Sequence, residues 1–237
     1  MLLRLCGFPK GLCESEKGNN CMDSTTVSLL GGCIATIIPL LFVIIIVKDT
    51  NSRRILLYFC WGSFAGLLAY GINNLFGAAP EQMERVTTTI APIVEEICKG
   101  LPLIFFLRKE KFVRLNTLIV YCAFASGIGF SIQESIYYFS QSSGVAGDII
   151  TLSVRTLTTA LMHGMSTAVL GVGLMLLQKQ RHIFLPVVSG LFALSTAIHA
   201  LFNLLLPTNF ALIAILMPIG LYFAGLLFLG GVRKEKG

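Results

Sequence analysis

Charge is what this chain has least of. Asp, Glu, Lys and Arg make up 13% of its 237 residues, hydrophobic residues make up 55%, and the mean hydropathy is +0.80. Soluble domains carry roughly twice that share of charge, so the composition excludes an ordinary globular protein and points to a polytopic membrane protein. Also missing are an internal repeat, a low-complexity run and any polar stretch long enough for a soluble second domain. The start, Met1-Leu2-Leu3-Arg4, lacks the continuous apolar core of a cleavable signal, so the first apolar segment is expected to insert as a signal anchor. No His-Glu-x-x-His sequence is present. The net charge of +6 comes without interleaved basic and aromatic residues, which excludes a nucleic-acid partner.

What remains is seven apolar segments, each near the roughly 20 residues that a helix needs to cross the hydrocarbon. They cover 27–47, 55–76, 86–107, 115–139, 157–177, 183–206 and 210–232. The expected fold is all-α, a polytopic transmembrane bundle of about seven spans. The last boundary is soft, since 207–209 is the only hinge there, and six spans with a re-entrant end are the alternative. Twelve basic residues flank one side of these segments (Lys48, Arg53, Arg54, Arg108, Lys109, Lys111, Arg114, Lys179, Arg181, Arg233, Lys234 and Lys236). Four flank the other, Arg4, Lys10, Lys17 and Arg85, with Arg155 read as a snorkelling interface residue or, alternatively, a partner for a chamber carboxylate. The bias predicts the N-terminus outside and the C-terminus inside. Residues 1–24 are then a short extracytoplasmic tail, 25–232 one transmembrane helical domain carrying the active site, and 233–237 a cytoplasmic tail, in a multi-pass protein of the cell membrane. Cys6, Cys13 and Cys21 in the first tail match no compact zinc knuckle, while Cys33, Cys60, Cys98 and Cys122 fall within spans and read as small packing residues. Small residues four apart, such as Gly62 with Gly66 and Ala125 with Gly129, predict close helix approach.

Against this apolar background stand Glu95-Glu96-x-x-Lys99, Phe130-x-x-x-Glu134, His163 and His199-x-x-x-Asn203. An ionisable group near the bilayer centre costs at least about 2.5 kcal/mol, and such residues face a bundle interior or a wet cavity. At about 1.5 Å of rise per residue, Glu95 lies about 14 Å, Glu134 about 8 Å, His163 about 9 Å and His199 about 10 Å from the same outer border. Neighbouring helices run in opposite directions, so this agreement predicts one polar layer. Glu95 and Lys99 are four apart and are expected to pair on one face, with Glu96 turned about 100° away. Pro92 is expected to kink the helix beside the chamber.

In order, Val94-Glu95-Glu96-Ile97-Cys98-Lys99-Gly100, Gly127-Ile128-Gly129-Phe130-Ser131-Ile132-Gln133-Glu134, Met162-His163-Gly164 and Ile198-His199-Ala200-Leu201-Phe202-Asn203 resemble the four signature blocks of the PrsW family of intramembrane proteases. The resemblance covers roughly residues 90 to 205. It implies an endopeptidase that cuts a membrane-anchored, single-span protein near its extracytoplasmic side, as in the first cut of regulated anti-sigma-factor proteolysis. A more distant similarity is to the CAAX-prenyl endopeptidase and bacteriocin-processing group, from which this chain departs by carrying Glu134 where that group has a histidine.

Two mechanisms fit these residue types. In one, Glu95 or Glu96 with a histidine activates water while Asn203 stabilises the oxyanion. In the other, zinc is bound by His163, His199 and a glutamate such as Glu134, leaving another glutamate as base. The paired glutamates and Lys99 tilt the sequence reading slightly toward the metal-free version. The alternative class is a proton-coupled transporter with a buried Glu/His relay, although no two related halves with broken helices are visible. Beyond the bilayer and a single-span substrate, the sequence points to no partner and leaves the oligomeric state open.

Overall fold

The computed structural model describes residues 24–76, 86–103, 116–141, 149–177 and 183–234. Among them every regular element is a helix. We number these α1 (Ser24–Ile46), α2 (Thr50–Phe76), α3 (Ala91–Gly100), α4 (Asn116–Gln141), α5 (Ile149–Leu177), α6 (Phe184–Leu205) and α7 (Ala211–Lys234). All but α3 are long and apolar enough to cross a membrane. Each of the seven helices overlaps one of the seven apolar segments, with α5 beginning eight residues ahead of its segment. The third segment is described only to Leu103, and its helical part begins with a wider π-helical turn, Val86–Ile90.

Local chemistry accounts for several of these boundaries. Asp49 caps α2: its Oδ2 accepts from the Ser52 amide at 2.8 Å and the Ser52 hydroxyl at 2.7 Å. The hydroxyl first, and the amide after it, hold the Asp49 carboxyl below its usual range. Pro92 sits in the first turn of α3, where a missing amide hydrogen breaks no helical bond. The expected kink is therefore replaced by the π-helical turn just before it, a widening that often accompanies functional sites. The Leu206–Phe210 turn carries the chain directly from α6 into α7, so the soft boundary between segments six and seven is a tight helical hairpin.

α4 and α5 form the interior, with α2 packed on α4 and α6 on α5; α1 leans on α2 and α4, and α7 on α5 and α6. Glycine sets the two closest approaches. A Cβ on Gly62 of α2 would run into the Ser126 carbonyl of α4, and one on Gly129 of α4 into the Phe59 carbonyl of α2. On the other side of α4, a Cβ on Gly127 would overlap the His163 carbonyl of α5. Backbones this close leave no room for side chains between them, which is the small-residue packing that membrane helices use where hydrophobic burial gives no drive. Cys33, Cys60, Cys98 and Cys122 are buried and form no disulfide. Large apolar side chains cover the outside, Ile45, Phe223 and Leu227 among them, as a lipid-facing surface requires.

The short α3 is fixed by its neighbours. The last carbonyls of a helix have no partner within it, and here side chains of other helices supply them. Trp61 Nε1 donates to the Cys98 carbonyl at 3.0 Å, Ser126 Oγ to that of Lys99 at 3.0 Å, and the Tyr58 hydroxyl to that of Pro102 at 2.8 Å. α2 and α4 thereby hold α3 in the position from which it presents two glutamates inward.

Candidate active site

Glu95, Glu96 and Lys99 from α3, Glu134 from α4, His163 from α5 and His199 from α6 meet in one cluster. Glu95 lies in the second turn of α3 and His163 at the middle of α5, while Glu134 and His199 each precede the end of their helix by about two turns. Asn203 is half-buried one turn beyond His199 on α6.

Glu96 is the hub. It is fully buried and pairs with Lys99, also fully buried. Ser166 Oγ donates to its Oε1 at 2.8 Å, Ser195 Oγ shares its one hydrogen between Oε2 at 2.8 Å and the Ser166 carbonyl at 2.6 Å, and His199 Nδ1 stands 3.1 Å from Oε1. Thr167 lies farther off at 3.4 Å and gives its hydrogen to the His163 carbonyl at 2.9 Å. An ionised carboxylate only accepts, so it assigns the hydrogen of His199 to Nδ1 and leaves the Nε2 lone pair pointing away from Glu96. That Nε2 stands 3.5 Å from Glu95 Oε2.

His163 is bracketed differently. Its Nδ1 is 2.9 Å from Lys99 Nζ, its Nε2 contacts Glu134 Oε2, and its ring meets the His199 ring edge-on with centroids 4.6 Å apart. Phe130 covers the inner side, with its ring centroid 4.9 Å from the His163 ring and 5.0 Å from Lys99 Nζ. Access is one-sided. Glu134 keeps 20% and Glu95 16% of its side chain exposed, while the other four are sealed.

One ligand atom each of Glu95, His163 and His199 lie within 4.8 Å of one another. The donor types fit a divalent cation such as zinc, which takes imidazole nitrogen and carboxylate oxygen at about 2.0–2.2 Å, and His163 would offer Nε2, since its Nδ1 faces the Lys99 ammonium. Two further observations agree. Glu96 accepts from the His199 ring hydrogen, the outer bond that orients a metal-binding histidine. Three carboxylates also face a single ammonium, an excess of negative charge that apolar surroundings do not tolerate without a compensating cation or protons. His163 and His199, the histidines expected for a metal, are in this set, and Glu95 joins them as one of the glutamates that the sequence offered beside Glu134.

Lys99 pairs with Glu96 three residues away, not with Glu95 four residues away as its spacing suggested. Both separations share a helix face, and the choice is made by tertiary contacts that turn Glu95 toward His199 Nε2. Ser166 and Ser195 were not singled out from the sequence, although each lies one turn from a histidine on the same face. Arg155 stacks on the Tyr138 ring, 3.6 Å from its centroid.

A family model described as PrsW family intramembrane metalloprotease matches residues 51–229. That stretch runs from the first turn of α2 to within two turns of the end of α7 and contains every residue of the cluster. No curated protein and no solved structure matches the chain.

Proposed function

Because the chain belongs to the PrsW family of intramembrane proteases, we propose that its buried cluster is the peptidase centre and that it cuts a membrane-anchored, single-span protein near the extracytoplasmic face. Family membership makes the chain a peptide hydrolase and a multi-pass membrane protein. The placement of the cut follows from the cluster's level in the bundle combined with the basic-residue bias, and a site-1 role in regulated proteolysis, for instance of an anti-sigma factor, accords with it. The observation that carries the proposal is the convergence of Glu95, His163 and His199 within 4.8 Å inside a membrane bundle.

In this reading Glu95, His163 and His199 would hold a divalent cation, which when bound would supply a Lewis acid for the scissile carbonyl and the attacking water. The metalloprotease description of the family weighs against the metal-free preference of the sequence reading. Glu134, accessible and outside the three-residue set, takes the proton of the attacking water. The water oxygen adds to the carbonyl carbon, the C–N bond breaks, and Glu134 returns the proton to the departing amine. Glu96 and Lys99 are positioning residues: Glu96 fixes the tautomer and direction of His199, and Lys99 balances Glu96. Asn203, one turn from His199, donates its amide to the developing oxyanion.

Co-expression with single-span membrane proteins tests the proposal. Wild-type protein is expected to yield a shortened substrate; Glu134→Gln is expected to leave it intact while accumulating to wild-type levels, and His199→Ala to leave it intact when compared at equal protein level. Equal processing by both variants would remove the cluster from the chemistry.

A further inference from the structure

A small pocket between α4 and α5 takes no part in the hydrolysis just described. Ser135, Tyr138, Arg155, Thr156 and Thr159 line it. Its walls continue those of the cluster: Ser135 follows Glu134, Tyr138 lies one turn beyond Glu134, and Thr159 lies one turn before His163. Arg155 lies near the end of a membrane span, where a guanidinium cannot lose its charge. None of the ion pairs among the described residues includes it, although the Glu134 carboxylate lies near enough to feel its charge, and the Tyr138 ring beneath it holds its plane. The other four lining residues all carry hydroxyls. A fixed guanidinium ringed by hydroxyls is a receptor for a carboxylate, which guanidinium binds through two parallel hydrogen bonds.

The pocket lies beside the accessible part of the site. Only Glu134 and Glu95 expose any appreciable part of the cluster, and the pocket adjoins Glu134 on the side where α4 ends and α5 begins. Building on the peptidase reading, we propose that the pocket is a substrate subsite for an Asp or Glu side chain about two residues from the scissile bond, on its extracytoplasmic side. The offset follows from geometry. Tyr138 stands four residues past Glu134 and Thr159 four before His163, a rise of about 6 Å along either helix, and an extended peptide covers that in about two residues at about 3.3 Å each.

The test uses the full-length protein in vesicles and a series of single-span substrate peptides in which Asp, Asn, Lys or Ala occupies successive positions around the cut. Wild-type protein should cut the peptide with Asp at the second position about ten- to a hundredfold faster than its Asn counterpart, the range of a charge-assisted hydrogen bond, mainly through KM. This arm needs no variant. In Arg155→Gln the Asp-to-Asn ratio should fall to near one, and Arg155→Glu should reverse the preference toward Lys. Equal cutting of the whole series by wild-type protein, or a preference that survives Arg155→Gln, overturns the subsite. So does an Arg155 effect that follows the change from phosphatidylcholine to phosphatidylglycerol vesicles and ignores peptide charge, which would assign the pocket to a lipid headgroup. A wild-type protein that cuts no peptide of the series removes the peptidase reading and the subsite together.

Discussion

Glu96 is enclosed by Lys99, Ser166, Ser195 and His199, donors from three helices, whereas Glu95, one position earlier, keeps part of its side chain open toward His199 Nε2. Substituting Glu96 should therefore damage the fold before it damages the chemistry. Glu96→Gln leaves a buried ammonium without its counter-ion, a loss of about 3–5 kcal/mol, and should be read as low abundance and early thermal aggregation in detergent. Ser195→Ala removes one donor from the same carboxylate and should cost about 1–3 kcal/mol, measured as a lowered midpoint with partial activity. Glu134→Gln is the counterpart: the group is accessible, so stability should stay near wild type while turnover falls at least about a hundredfold, the contribution of a general base. The residue types of the site were legible in the sequence because ionisable groups in an apolar chain have few other reasons to be there. The partition of the two glutamates was not. Spacing allowed Lys99 either partner, and the choice rests on Ser166 and Ser195, whose hydroxyls are too common in membrane helices to signal anything before α5 and α6 bring them to Glu96.

At the scale of elements, the level of the cluster depends on how closely α4 can approach its two neighbours. Gly62 and Gly129 face carbonyl groups across the α2–α4 contact. Alanine at either position should force the helices apart and cost about 1–3 kcal/mol, as overpacking does. Gly190 of α6 faces open space, and Gly190→Ala should be neutral or slightly stabilising; thermal stability of the three variants in one detergent compares them directly. The helix count could be read from hydropathy, and the close α2–α4 contact was foreshadowed by Gly62 and Gly66. The make-up of the third segment could not. A window average does not reveal that α3 is a short helix behind a π-helical turn, because that form depends on Tyr58, Trp61 and Ser126 reaching carbonyls from other helices.

For the whole molecule, the direction of insertion decides from which side substrates arrive. The twelve-to-four asymmetry of flanking basic residues puts the N-terminus outside, and most of those residues lie outside the described segments. Single cysteines placed in 77–84 should react with an impermeant thiol reagent in intact cells, and cysteines in 108–114 should not. The reverse pattern would move the cut to the cytoplasmic side without altering the cluster. The claim on which the rest depends is that Glu95, His163 and His199 form a metal centre inside the membrane, and elemental analysis of the purified protein tests it most directly. Wild-type protein should carry about one equivalent of a divalent metal, as a three-ligand catalytic site would, and His163→Ala and His199→Ala, each still folded by circular dichroism, should carry almost none. Metal-free wild-type protein that still cuts its substrate, or full metal content in both histidine variants, would contradict it.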